Sequence, residues 1–244
     1  MARLPRLECP SFPHLVVQRV VSGVPLTVDQ VDQQWLWQCL LEAGRAHDVA
    51  VHAYVLMPDH FYVLATPAGV GALGAFMQSV GRRYVATYNR RHARQGSLWA
   101  GRFRATVIDP ARYLLDAMVF IESQPWQHEH QASTPGPVAT VPSSLGQHLN
   151  RRTDPLVSDH AAFWALGNTP FDREAAWRKR LEQGLSAESA AALAQAADKG
   201  WVRGDEAFVR LLQQQASSGG PSAPPRRMVP ARRGRPRKVA AISQ

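Results

Sequence analysis

Residues 48–66, DVAVHAYVLMPDHFYVLAT, hold two runs rich in Val, Ala, Tyr and Leu on either side of Pro58-Asp59. β-Branched and aromatic residues fit a pleated, half-buried surface, and Pro with Asp suits a tight turn, so this stretch predicts a β-hairpin. On a strand, residues two apart share a face. His60 and Tyr62 therefore project together, while Phe61 and Val63 point the other way.

Upstream, LVVQRVV (15–21) has strand composition and is followed by a Gly-Val-Pro break. Thr27 offers a helix cap with Gln30 three residues on, and Val28, Val31, Trp35 and Leu40 recur at helical spacing. Downstream, Leu73, Phe76, Met77, Val80, Tyr84 and Tyr88 mark one face of a long helix, which makes the two tyrosines core positions. FRATVI (103–108) reads as a strand, and Asp109-Pro110 starts a helix through ARYLLDAMVFIES. The order β-α-β-β-α-β-α predicts an α+β fold: a ferredoxin-like antiparallel sheet with helices on one face, within residues 1–130.

Residues 131–150 are rich in Pro, Gly, Ser and His and read as a connector. Helix formers return in REAAWRKRLEQGL, SAESAAALAQAADKG and DEAFVRLLQQQ, which predict a small helical domain over 151–215. From 216 to 244, ASSGGPSAPP is a linker by composition and RRMVPARRGRPRK a basic tail without an acid, expected to be disordered when free.

A formal charge of +9 and a pI near 10.4 point to a polyanionic partner, with nucleic acid ahead of a membrane surface. Two cysteines in no paired motif encode neither a disulfide framework nor a zinc-thiolate site, and a reduced cytosol suits them. The N-terminal apolar stretch is short and broken by Pro13, a poor signal peptide, and no stretch has the length of a membrane span.

Four segments in order, AYVLMPDHFYVLATP, GRRYVATYNRRHARQGSLWAGRF, YLLDAMVFIESQP and GNTPFDREAAW, resemble the single-tyrosine HUH transposases of the branch associated with repetitive extragenic palindromes. The resemblance spans roughly residues 4–215. It implies DNA transposition through a covalent phosphotyrosine intermediate on single-stranded or hairpin DNA, with a divalent metal, Mg or Mn. It also implies a cytoplasmic, nucleoid-associated protein of bacteria, and leaves a homodimer open.

By that resemblance, His60 matches the first metal-ligand histidine of the family's strand motif, Tyr62 stands where the second would be, and Tyr113 occupies the nucleophile position. A tyrosine that attacks a phosphodiester keeps the bond energy for rejoining, and a metal beside the phosphate offsets developing charge. A neutral phenol is a poor ligand for a hard divalent ion. His52 on the partner strand and Asp116 one turn after Tyr113 are the substitutes in reach of such a site. Glu122, nine residues after Tyr113, falls on the opposite side of an ideal helix.

Arg82, Arg83, Arg90, Arg91, Arg102 and Arg104 flank the site in sequence and suit a DNA backbone, with His92, Trp99 and Phe103 among them for stacking on an unpaired base, Trp99 being equally suited to the core. Arg233, Arg235, Arg237 and Lys238, with Gly234 and Pro236 between them, resemble an AT-hook, which implies contact with A·T-rich duplex. Two DNA readings follow: an active strand transferase, and a DNA-binding descendant whose chemistry the change at Tyr62 has weakened. A third, an RNA-binding module on a ferredoxin-like sheet, lacks that module's aromatic signature.

Overall fold

The structure is a computed structural model that describes residues 7–126 and 141–218. Four strands, β1 (His14–Arg19), β2 (Val49–Leu56), β3 (His60–Pro67) and β4 (Arg104–Val107), form one sheet in the order β2-β3-β1-β4. Every neighbouring pair is antiparallel. The predicted hairpin is present, with Leu56 opposite Phe61 and Val55 opposite Tyr62, and a bulge between Val51 and Ala53.

Helices α1 (Gln30–Ala46) and α2 (Ala72–Arg91) cover one face. Val16, Val51, Tyr54, Phe61, Val63 and Ala65 of the strands meet Leu36, Leu40, Phe76 and Val80 there. All six apolar residues expected on α2 are buried. Tyr84 and Tyr88 add polar pins, their hydroxyls donating to the carbonyls of Leu26 and Pro25.

The start of α1 differs from the expectation. Asp29, not Thr27, is its N-cap: the Asp29 carboxylate accepts from the Asp32 amide, and Asp32 in turn accepts from the Val28 amide. This phase leaves Val28 and Val31 exposed and turns Asp32 inward, where Arg91 and His92 at the end of α2 bind it. The helix pair is thereby tied together at a buried carboxylate.

The opposite sheet face is also covered. Asp109 accepts from the Ala111 amide and Pro110 fills the first turn, so α3 (Pro110–Glu122) starts where the sequence placed it. Beyond it come the short α4 (Leu145–His148) and α5 (Ala161–Trp164), then α6 (Pro170–Gln183), α7 (Ala187–Lys199) and α8 (Glu206–Ser218). Leu15, Val17, Val55, Tyr62 and Leu64 share one core with Leu114 and Met118 of α3, Trp177 of α6, and Leu193 and Ala197 of α7.

Residues 145–200, divided by the sequence between a connector and a separate helical domain, thus continue the core of the sheet. Residues 142, 144, 158 and 203 also hold the sheet through the main chain. Leu56 N–H donates to Pro142 O at 2.9 Å, Ser144 N–H to Tyr54 O at 3.0 Å and Ser158 N–H to Val51 O at 2.7 Å along β2. Beside β4, Arg203 N–H donates to Val107 O and Asp109 N–H to Arg203 O.

At the centre of this second layer lies Glu122, with no exposed side-chain surface. One carboxylate oxygen accepts from Ser144 Oγ and His148 Nδ1, each at 2.5 Å, and the other from Trp177 Nε1 at 2.9 Å. Burial works against a charged His148 ring, but Glu122 and, at 3.5 Å, Asp159 outweigh it and raise the pKa to about 9.

Candidate functional site

β3 begins at His60, and the alternation along it places His60 and Tyr62 on the α3 side of the sheet, as expected. Their rings meet edge to face with centroids 5.0 Å apart. Asp59 at the hairpin turn holds His60 Nδ1 at 2.6 Å, which fixes the ring's orientation. Tyr62 also packs on Phe120, at 5.3 Å. Burial raises its pKa above the ordinary value, against a lowering influence from Arg19. The phenol is protonated at neutral pH.

A pocket of about 480 Å³ opens beside this pair. Met57, Asp59, His60 and Tyr62 line it from the hairpin, Phe120 and Gln124 from α3 and just beyond, and Ala190, Ala191 and Ala194 from α7. α7 is anchored nearby, because Asp198 pairs with Arg19 at 3.2 Å and its carbonyl accepts from Arg104 at 2.5 Å.

Tyr113 is not in this pocket. It precedes Phe120 by seven residues, two helical turns or about 10 Å along α3. It is half-buried, and the Arg203 guanidinium carbon lies 4.3 Å from its ring centroid. The structure therefore does not bring Tyr113 and His60 to one point. What separates them is the direction of α3, whose Phe120 end rather than its Tyr113 end meets the start of β3.

His52 does not substitute as a metal ligand. It sits in the bulge between Val51 and Ala53, and its ring reaches Thr66, six residues along β3 from His60 and roughly 20 Å away at strand spacing. Its ring bonds Ser158 O at 2.7 Å and Thr66 Oγ1 at 2.8 Å. Asp116 is also committed elsewhere, accepting from Arg180 of α6 at 2.8 Å. Among the described residues no three His, Cys, Asp or Glu side chains gather as a metal site. One histidine beside a protonated phenol does not fit a divalent ion of the kind the resemblance implies.

Burial of His52 carries a pH consequence. It lowers the pKa from 6.5 to about 4, against the raising effect of the bond to Ser158. As pH falls, the unfolded chain takes up this proton first. The stability held by the neutral ring is complete above pH 6.5 and is lost as pH drops through about 4, a loss of about 3 kcal/mol. His14, lowered to about 4 by burial, acts with the same sign. The urea midpoint is expected to fall across that window, and His52→Gln to flatten the fall; an unchanged slope in the variant would remove His52 from the account.

The expected arginine set divides. Arg83 pairs with Glu42, and Arg91 with Asp29 and Asp32. Arg104 is held by the α7 carbonyl. Arg82, Arg90 and Arg102 are exposed and make no ion pair among the described residues. Arg233, Arg235, Arg237 and Lys238 lie outside the described residues. Glu122, set aside as a catalytic group, is indeed turned into the core. Sequence reasoning missed Asp59, Arg19 and Arg203, which act on His60, Tyr62 and Tyr113; only Asp59, adjacent to His60, carried a local signal.

No protein-family model and no curated protein matches the chain. Among solved structures, the fold is similar to that of a REP-associated tyrosine transposase bound to a REP hairpin, at 16% identity and a TM-score of 0.50, over 66% of this chain and 96% of that one. A Deinococcus radiodurans R1 protein provisionally assigned as a transposase is 17% identical over 55% of this chain and 100% of that one, with a TM-score of 0.35. No helix among the described residues is long and apolar enough to cross a membrane.

Proposed function

We propose that this protein binds DNA, as a hairpin or single strand, on a transposase fold whose strand-transfer chemistry has been weakened. The fold shared with the hairpin-bound REP-associated transposase supports the DNA partner, as do the charge of +9 and the exposed arginines. The observation that carries the loss of chemistry is Tyr62. A buried, protonated phenol packed on Phe120 occupies the place of the second metal-ligand histidine. In this reading the Arg233–Lys238 segment adds contacts to A·T-rich duplex.

One observation favours a second reading, cleavage through Tyr113. The Arg203 guanidinium over its ring supplies a cation for a phosphate at that end of α3.

Incubating the purified full chain with a labelled DNA hairpin and Mn²⁺ or Mg²⁺ separates the two. The expected result is a retained hairpin with no species that survives denaturation. An adduct present in the wild type and lost in Tyr113→Phe would establish the second reading instead.

A further inference from the structure

On the sheet face opposite His60, α2 and the segment 97–103 enclose a groove of about 1000 Å³. Its floor is open because the helix presents small residues there. A Cβ at Gly74 would meet nothing within 4 Å, and one at Gly81 would come within 3.0 Å of Trp99 Nε1. The indole therefore lies close against α2. It is stacked with Tyr84 at 6.1 Å and meets Phe61 edge-on. Main-chain bonds fix the segment that carries it: Val21 N–H donates to Leu98 O, Ala100 N–H to Arg19 O, and buried Gln18 donates to Gly101 O.

Phe103 is the second aromatic of the lining, and Arg82 and Arg102 supply its charge from the two walls. Among the described residues no Asp or Glu lines the groove. The carboxylate at the start of α2, Glu8, is engaged by the amides of Leu73 and Gly74. A rigid aromatic wall flanked by arginines that no acid among the described residues neutralises has the chemistry of a single-strand nucleic-acid site: phosphates on the guanidiniums and bases against the rings. The volume is within the range that accepts nucleotide-sized ligands.

We infer that this groove binds an unpaired segment of a DNA strand, with Arg82 and Arg102 as its phosphate contacts. The inference rests on the DNA-binding reading above and adds to it a strand path distinct from the His60 pocket. The two lie back to back at one end of the sheet, since Gln18 pairs with Phe61 and Arg19 with His60 in the β1–β3 register.

The test is fluorescence anisotropy of the full chain with two labelled DNA hairpins, one blunt and one with a single-stranded extension, over a salt series. The extended hairpin is expected to bind more tightly than the blunt one. Arg82→Ala with Arg102→Ala should weaken it by about tenfold or more, lower its salt slope by about 1.4, and leave the blunt hairpin unchanged. Gly74→Leu, which fills the groove without changing charge, should weaken the extended hairpin alone, with a melting curve confirming its fold. Equal binding of both hairpins by the wild type would overturn the groove and leave the DNA reading standing. Equal losses on both hairpins in the arginine variant, or tighter binding of an RNA extension than of DNA, would also overturn it. Binding of neither hairpin would overturn both.

Discussion

Glu122→Ala is expected to lower stability by about 3–5 kcal/mol, the cost of breaking a buried ion pair from one side. Its carboxylate serves three donors from two segments: Ser144 and His148 at the two ends of α4, and Trp177 of α6. Without it, the Trp177 N–H and Ser144 hydroxyl lose their acceptor and the raised pKa of His148 loses its main support. Glu122→Gln keeps the volume and one acceptor, so its loss should be smaller. Pairing Glu122→Ala with His148→Ala should cost less than the sum of the two single losses, because the second substitution removes the charge the first leaves stranded. Urea midpoints measure all four. A single-variant loss below about 1 kcal/mol would show that apolar packing around Trp177, rather than this network, holds the second layer to the sheet.

Tyr62→His should create a metal response that the wild type lacks. The new ring would stand two residues from His60 on one strand face, where paired imidazoles bind Mn-like ions. Removing the phenol from contact with Phe120 costs apolar burial, so the metal-free variant should melt lower than wild type. Saturating Mn²⁺ should then restore about 2–3 kcal/mol at a hundredfold excess over its dissociation constant. Thermal unfolding with and without Mn²⁺ reads both effects. Identical curves would mean that Tyr62 is not what prevents metal binding, and would turn attention to the α7 alanines that wall the pocket.

The hairpin, the buried face of α2 and the Asp109-Pro110 start of α3 were legible because each depends on residues within a few positions of one another. α1 was read one cap too early. Thr27 and Asp29 both offer a side-chain acceptor, and the choice fell to Asp32, whose burial against Arg91 and His92 is decided by a helix sixty residues away. The site was legible as residue types and less so as distances. Alternation placed His60 beside Tyr62, but the bulge and register that carry His52 to the far end of the hairpin have no local signature. Nor does the slope of α3 that brings Phe120, not Tyr113, to the pocket. The second layer was hidden for a related reason: its polar keystone joins positions 122, 144, 148 and 177, which no sequence period connects.

The main-chain bonds along the outer strands bear on how the molecule meets its own copies. In an open four-stranded sheet, β2 and β4 would offer unpaired amides and carbonyls as templates for another chain, a common route to fibrils and swapped oligomers. Here residues 142–144 and 158 occupy the outer side of β2, and Arg203 does so beside β4. Self-association of the folded protein by strand addition is therefore closed at these positions. Stripping residues 142–158 from β2 by local unfolding would uncover a long apolar strand, so these segments protect solubility as well as shape.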